Sequence, residues 1–278
     1  TSMTMLSINT NVGALTAARS SYSVNKSMET SMERLASGKR INSAADDAAN
    51  LAISTRITAE IQGLKQSIKN AADAQSLLNV TEGALSEVHT ILLRMRELAV
   101  QSSNDTVRDQ DRDVLQMEVA QLEAEIQRIS DDTTWSGMTL LAGGFTTGAT
   151  FQIGPRDTDT IQISIAAIDA TTAAQLALSS HVSTQAAAQD YIATIDNAIS
   201  KISEQRGKYG ATMNRLDHAM ANMQNIVTNL STAKGRLEDA DFAAESANLA
   251  RTQVLQQASM AMLSQANASK QNILALFQ

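Results

Sequence analysis

The chain has 278 residues, a net charge of −7 and no cysteine, which excludes disulfide bonds and cysteine-ligated metal sites and disfavours non-specific nucleic-acid binding. Aromatic residues make up only 3% and there is one proline, so the composition favours long helices packed by aliphatic side chains over an enzyme pocket. No apolar run is long enough to insert into a membrane, and residues 3–11 mix polar and apolar side chains, so no cleavable signal peptide is predicted.

The first predicted helix runs from about Ser7 to Ala36 and ends at Gly38, a residue suited to a left-handed C-cap. After a short joint, Ser43 with Asp46 predicts a capping box that opens the second helix. Apolar residues at intervals of three and four form a narrow stripe on the first helix, which is typical of packing against a partner helix. The stripe consists of Ile8, Val12, Leu15, Tyr22, Met28, Met32 and Leu35.

The second helix is predicted to be long, because one apolar row recurs every seven residues from Ile57 to Ala99. A neighbouring apolar row on the same helix turns polar at Gln75 and Glu82, and a second apolar stripe begins there. Two apolar stripes on one helix predict that the helix has two packing partners. A third helix follows, with Thr106 and the acidic residue three positions later as its predicted cap.

Helical periodicity stops over Asp131–Ser183. Within this region, residues 160–165 alternate between polar and apolar, which predicts a strand. We expect Phe151 and Ile153 to belong to its partner strand, with a turn at residues 154–157. The region therefore predicts a small β-hairpin between helices.

The fourth helix carries a heptad pattern that starts at Ile192 and is interrupted by Arg206. Gly207 and Gly210 lie inside it and cost about 1 kcal/mol each relative to alanine, so either a neighbour approaches closely there or the helix bends. A joint near Gly235 leads into the terminal helix. The stripe of that helix consists of Leu255, Ala258, Met262, Ala266, Ile273 and Leu276.

Apolar stripes at both ends, with no catalytic motif between them, predict a self-assembling structural protein and not an enzyme. Three scattered histidines give no metal-ligand spacing, and no cofactor is predicted. We expect the terminal helices to become ordered when copies of the chain surround them. The predicted polymerisation seam is Ile8, Leu15, Leu35, Leu255, Met262, Ile273 and Leu276, and the predicted flexible joints are Gly38, Lys39 and Gly235.

Five segments, in the same order along the chain, resemble signature sequences of the bacterial flagellin family. They are residues 8–11 with Ala14 and Leu15, residues 35–49, residues 96–102, residues 239–245 and residues 265–267. The resemblance implies a mainly α fold: long antiparallel helices in a coiled-coil rod, a small β-hairpin region, and terminal helices paired as an α-helical coiled coil.

The same resemblance implies a subunit that is exported through a type III apparatus and polymerises into the extracellular flagellar filament for swimming. The implied domains are residues 1–43 and 236–278 for the inner filament core, 44–130 and 184–235 for the outer helices, and 131–183 for the hairpin region without a large variable domain. Implied partners are further copies of the chain, the flagellar cap, junction proteins and an export chaperone.

Two alternatives stay open from the sequence. One is a hook–filament junction protein with the same fold, and the other is a helical binding or enzymatic protein that does not polymerise. Arg94, Leu98 and Glu118 match positions of the epitope that the flagellin-sensing Toll-like receptor binds in this family. The competing interpretation is that these three residues contact neighbouring subunits.

Overall fold

The computed structural model describes residues 10–145, 147–168, 176, 178 and 182–275, with side chains up to Ser269. The helices are α1 (Val12–Ser37), α2 (Ala48–Ser102), α3 (Asp109–Asp132), α4 (Gln185–Glu238) and α5 (Phe242–Ala275). The strands are β1 (Thr134–Trp135), β2 (Met138–Thr139), β3 (Ala149–Gln152) and β4 (Thr160–Ile163). The mainly α fold predicted from the sequence is confirmed.

The described residues form two compact units. The first contains the residues up to Ala59 and those from Asn229 onward, and the second contains Glu60–Thr228. The first unit thus holds α1, α5 and the adjoining ends of α2 and α4, and the second holds α3, the strands and the remainder of α2 and α4. The predicted domain limit near residue 43 lies in the break between α1 and α2, and the limit at residue 236 lies inside α4; neither coincides with the division between the units.

Helix α1 begins after Asn11, whose side-chain oxygen accepts a hydrogen bond of 3.0 Å from the amide of Ala14. The predicted start at Ser7 is therefore wrong, because residues 10 and 11 are not helical. The predicted end is confirmed: Gly38 caps the helix with φ of +71°, a conformation that glycine adopts without steric cost.

The predicted start of α2 at Ser43 is also wrong. The Asp46 carboxylate accepts hydrogen bonds from the amides of Asn42 and Ser43, at 3.0 and 2.9 Å, and these bonds hold a turn that precedes the helix. Asp47 takes the capping position, where its Oδ1 atom accepts a hydrogen bond of 3.0 Å from the backbone amide of Asn50. Because these carboxylate–amide hydrogen bonds hold a turn before the helix, α2 begins only at Ala48.

The core of the second unit lies along α2, α3 and α4. The predicted row of α2 is buried from Leu64 to Ala99. Further core residues include Val119 and Ile126 from α3 and Tyr191, Ile195, Ile202, Tyr209, Leu216 and Met223 from α4. The heptad pattern of α4 is thus a core pattern, as its periodicity predicts.

Within the second unit, side-chain pairs that include the following three join α2 to α4. They are Gln75–Asp217 at 2.8 Å, Glu82–Arg206 at 2.8 Å and Arg96–Asp196 at 2.6 Å. Residue numbers rise along one helix as they fall along the other, so the helices are antiparallel. The polar interruptions of the two apolar rows therefore face polar partners on the opposite helix.

The predicted hairpin is confirmed, with Phe151 opposite Ile161 in an antiparallel register. Its predicted strand ends are wrong, because β3 ends at Gln152, before Ile153, and β4 ends at Ile163 and not at residue 165. A second hairpin, β1–β2, was not predicted. It is only two residues per strand, and its turn uses Ser136 and Gly137 with φ of 51° and 81°, the left-handed pair typical of tight hairpins. The predicted cap of α3 at Thr106 is wrong, because α3 begins at Asp109 without a side-chain cap.

Candidate assembly surfaces on the terminal helices

Helices α1 and α5 pair in an antiparallel arrangement. Near one end of the pair, Asn11 donates to the carbonyl of Ala266 at 3.2 Å, and near the other, Ser31 donates to Glu245 at 2.9 Å. The less exposed positions of both helices are mostly small or polar. They are Ala14, Ala17, Ser21, Val24, Met28, Ser31 and Leu35 on α1, and Glu245, Asn248, Leu249, Thr252, Gln256, Ser259, Leu263 and Ala266 on α5.

Glu245 is the main charged group buried in this pair. Arg34 Nη1 lies 2.9 Å from Glu245 Oε1. Hydrogen bonds from the Arg34 guanidinium and then from the Ser31 hydroxyl lower the pKa of Glu245 below its usual value. Two polar atoms of α1 are buried without a hydrogen-bond partner among the described residues, Asn25 Oδ1 and Arg34 Nε. Such atoms cost about 1–3 kcal/mol each, so the pair is not fully satisfied within one chain.

Large apolar side chains lie on the outside of the pair. On α1, the exposed fractions of Val12, Leu15 and Tyr22 are 64%, 62% and 73%. On α5, those of Leu255 and Met262 are 44% and 66%. Phe242, Val254 and Met260 are also exposed on α5, and Met32 is exposed on α1. Single exposed apolar residues are normal, but a series along two adjacent helices is typical of an interaction surface.

An apolar groove runs between the two helices at the end where Asn11 meets Ala266. Its volume is about 650 Å³. Its apolar lining comes from Val12, Ala17, Leu255, Ala258, Met262 and Ala266. Two residues of the predicted seam, Leu255 and Met262, therefore line a cavity that one chain leaves open.

The structure brings part of the predicted seam together. Leu15, Leu255 and Met262 are exposed on the terminal pair, whereas Leu35 is half-buried within it. Ile8 and Leu276 lie outside the described residues, and Ile273 belongs to α5 but its side chain is not among those described. The role of these seven residues in polymerisation stays a prediction.

The two predicted joints meet in one short backbone clip. Lys39 and Asp239 form an antiparallel bridge, in which the amide of Ala240 donates to Gly38 at 3.0 Å and the amide of Arg40 donates to Glu238 at 2.6 Å. The clip consists of residues 38–40 and 238–240, and it links the end of α1 to the start of α5.

Side chains reinforce the clip through Glu238. Its carboxylate accepts a hydrogen bond from Ser54 and lies 3.3 Å from Lys39 Nζ. Gly235 does not break α4, since the helix continues through it to Glu238, and the break falls at residues 239–241. The predicted joint lies four residues too early, because glycine is the usual signal for a helix end. The helix instead ends before the Asp-Ala-Asp segment of residues 239–241.

The three predicted epitope residues lie on α2 and α3 in the second unit. Arg94 and Glu118 are exposed and form an ion pair, with Arg94 Nη2 2.9 Å from Glu118 Oε1. Glu97 also pairs with Arg94 at 2.7 Å, and the two carboxylates raise the pKa of Arg94. The Leu98 side chain is only 1% exposed and packs in the core. A partner on the folded surface would therefore contact Arg94 and Glu118 but not the Leu98 side chain.

In the part of the chain that the structure describes, no three His, Asp or Glu side chains come together as a metal site. No described helix has the length and apolar character needed to cross a membrane. The main candidate for function is the terminal pair, because a series of large apolar side chains is exposed on it.

Comparisons with known proteins agree with this description. Residues 8–146 match the model of the bacterial flagellin N-terminal helical region, and residues 192–277 match that of the C-terminal helical region. The chain is 41% identical to a flagellin of Halalkalibacterium halodurans over 272 residues, covering 98% of this chain and 99% of the relative. It is 37% identical to the flagellar filament 33 kDa core protein of Treponema phagedenis over 287 residues, with coverage of 98% and 99%.

Solved structures agree as well. The crystal structure of Bacillus cereus flagellin superposes with a TM-score of 0.50 at 33% identity, covering 60% of this chain and 94% of that one. A structure described as a flagellar hook-associated protein of Vibrio parahaemolyticus gives a TM-score of 0.61 at 17% identity, covering 70% and 100%, which shows a shared fold alone. Since both terminal regions match the family models and full-length relatives share more than a third of their residues, the chain belongs to the bacterial flagellin family.

Proposed function

We propose that this protein is the structural subunit of an extracellular bacterial flagellar filament, and that it polymerises through its terminal helices to support swimming. The observation that carries the proposal is the series of exposed apolar side chains on α1 and α5, which includes Leu15, Tyr22 and Met262. Family membership supports the same conclusion, because the full-length relatives include a protein named as a flagellar filament core protein.

Burial of the exposed apolar side chains of the terminal helices favours assembly. Burying a large apolar side chain completely contributes about 1.5–3 kcal/mol, and a single chain leaves half or more of that contribution unrealised at Val12, Leu15 and Tyr22. Neighbouring copies would cover these side chains, and this burial favours the polymer over the free subunit.

Seeded elongation tests the proposal. Refolded subunits are added to sheared filament fragments, and polymer is measured by sedimentation and electron microscopy. We expect Leu255→Asp and Leu15→Asp to abolish elongation because each places a charge in a surface that becomes buried. Gln257→Asp is the matched control for Leu255→Asp, since it adds the same charge at an exposed polar position of the same helix. Wild-type protein that never sediments would refute the proposal.

We further propose that assembly stabilises the terminal helices. Limited proteolysis of the free subunit is expected to remove roughly the first 40 and last 40 residues and leave the second unit intact, because α1 and α5 meet mostly through small and polar side chains. In filaments the same sites should be protected. Equal resistance of both ends and of the second unit in the free chain would contradict this coupling.

The hook–filament junction protein remains the alternative. Its support is a shared fold at 17% identity, whereas relatives named as flagellin or as filament core protein align over nearly the whole chain. Subunit abundance separates the two functions. A filament subunit is the major protein of sheared filaments, and a junction protein is a trace component.

By family resemblance, we also propose export through a type III apparatus with a chaperone, and contacts with the filament cap and junction proteins. Recognition by the flagellin-sensing Toll-like receptor is proposed through Arg94 and Glu118, which form the exposed ion pair described above. A reporter-cell assay with Arg94→Ala and Glu118→Ala tests it: loss of signalling supports the contact, and unchanged signalling excludes these two residues.

A further inference from the structure

The described methionines range from fully buried to largely exposed. Met95 and Met223 are buried in the core of the second unit, with exposed fractions of 0% and 4%. Met262 on α5 and Met117 on α3 are 66% and 62% exposed in the single chain, and Met260 is 59% exposed. A thioether that is open to solvent reacts with peroxide far more readily than one enclosed in a core.

Met262 differs from the other exposed methionines in its surroundings. It lines the apolar groove between α1 and α5, together with Val12, Leu255 and Ala258. Met117 and Met260 do not contribute to that groove. A leucine would supply comparable apolar volume at position 262, so the property that methionine adds there is the chemistry of its sulfur.

We propose that Met262 is an oxidation site at which hydrogen peroxide blocks polymerisation of the free subunit, an inference that rests on the proposed function. The sulfur lone pair attacks one peroxide oxygen, the O–O bond breaks, and the products are methionine sulfoxide and water. Peroxide is reduced and the thioether is oxidised by two electrons, and no further reactant is needed. Methionine sulfoxide reductase with a thiol reductant reverses the step.

The sulfoxide replaces an apolar side chain of the groove by a polar one. The groove lining combines apolar residues, among them Val12 and Ala258, with polar ones, among them Ser259 and Gln265. A sulfoxide at Met262 must give up its hydration when a neighbouring copy covers the groove. This desolvation opposes burial, so a subunit oxidised at Met262 should add to a filament end poorly. In the filament, the same burial would shield Met262, so polymerised subunits should resist the reaction.

The experiment treats refolded full-length subunits with hydrogen peroxide and removes the reagent before seeded elongation. Sulfoxide at each methionine is measured by mass spectrometry of tryptic peptides. We expect the critical concentration of oxidised wild-type protein to rise roughly tenfold or more, which corresponds to about 1.4 kcal/mol per subunit. Each protein is compared with its own untreated sample: Met262→Leu should lose little elongation on the same treatment, and reductase treatment should restore the oxidised wild type to its untreated level.

Two matched variants test the assignment to this sulfur. Met260→Leu removes a similarly exposed thioether on the same helix, and Met117→Leu removes one in the second unit, and neither should protect elongation. Protection by either control variant, or unchanged elongation of wild type with Met262 fully oxidised, would overturn the inference. Failure of the untreated wild type to elongate would instead refute the proposed function.

A second comparison does not depend on any variant. Preformed filaments and free subunits are exposed to the same peroxide dose. We expect oxidation of Met262 to slow at least severalfold in filaments relative to Met138, which is 50% exposed on the β1–β2 hairpin. Equal rates at Met262 in both states would contradict its burial on assembly.

Discussion

Arg206 Nε lies 2.8 Å from Glu82 Oε1 across the antiparallel helices α4 and α2. Glu82 interrupts an apolar row of α2, and Arg206 interrupts the apolar row of α4. The two polar side chains contact each other between the helices. Pairs of this kind specify register, because a shift of either helix by one turn would place a charge against an apolar neighbour. The contact therefore aligns the two helices along the core of the second unit.

This relationship predicts the outcome of a double-mutant cycle. Arg206→Leu should lower the free energy of unfolding by about 1–3 kcal/mol, because Glu82 would lose its countercharge while its Oε2 atom is already buried without a partner. The double variant Glu82→Leu/Arg206→Leu should recover most of the loss by completing the apolar rows. Chemical denaturation followed by the fluorescence of Trp135, the single tryptophan, measures both.

Arg96 provides the control for that cycle. Its pair with Asp196 joins the same two helices, but the side chains are 44% and 48% exposed. Arg96→Leu should therefore change the free energy of unfolding by less than about 1 kcal/mol. A loss as large as that of Arg206→Leu would show that burial of Glu82 does not govern the effect.

The glycines of α4 and of the β3–β4 turn should respond to alanine in opposite directions. A Cβ atom on Gly207 would meet no atom within 4 Å, and α4 is continuous there, so Gly207→Ala should raise the free energy of unfolding by about 0.5–1 kcal/mol. Gly154→Ala should lower it, since the new Cβ would lie 2.4 Å from the Cβ of Asp159. Thermal unfolding followed by circular dichroism measures both changes, and stabilisation by Gly154→Ala would contradict the close contact.

Arg112 is expected to be the most sensitive charged residue of the second unit. Its buried guanidinium donates to the carbonyls of Ser102 and Asn104, at 2.8 and 3.0 Å, and pairs with Asp109 at 2.6 Å. It thereby satisfies carbonyl groups at the end of α2 and in the turn before α3. Arg112→Ala should lower the free energy of unfolding by about 2–4 kcal/mol.

Lysine should not replace Arg112, because a single ammonium group cannot reproduce three contacts that diverge from a planar guanidinium. Denaturant midpoints of the alanine and lysine variants, compared with wild type, test this. A lysine variant as stable as wild type would show that charge alone accounts for the contribution of Arg112.

The α1–α5 pair should weaken in acid. Arg34 and Ser31 lower the pKa of Glu245 in the folded chain, so the contribution of this carboxylate to stability is present above its unfolded pKa, near 4.3, and is lost as the pH falls through the lower folded value. Helical ellipticity of the free subunit should therefore fall less for Glu245→Gln than for wild type between about pH 6 and pH 3. Equal losses would exclude a role for this carboxylate.

Sequence periodicity was sufficient to predict the helices and the β3–β4 hairpin, because apolar spacing along α2 and α4 records which face is buried. Helix starts were predicted less well. Asp46 and Asp47 are adjacent candidates for the cap of α2, and only the backbone geometry shows that Asp46 accepts the amide of Ser43 in a turn whereas Asp47 accepts that of Asn50 in the helix. The β1–β2 hairpin was missed because two residues per strand leave no alternation to detect.

The assembly surfaces were predicted only in part. The spacing of Leu15 and Met262 indicated a stripe, but not that α1 and α5 would meet through small and polar side chains and leave that stripe outside. Pairing of the two joints in one clip was also not predicted in detail, since the contact of Lys39 with Asp239 depends on the path of the whole chain between them. Periodicity is a local signal, and it does not record such distant contacts.

The hydrogen bond between Asn11 and Ala266 joins positions 255 residues apart. Closing so long a loop is entropically costly, and during synthesis α5 becomes available only after all of the chain between the two helices. Helix α1 therefore gains its contacts with α5 late. Until that moment its 26 residues lack this partner and are open to any factor that reaches the nascent chain before α5 does.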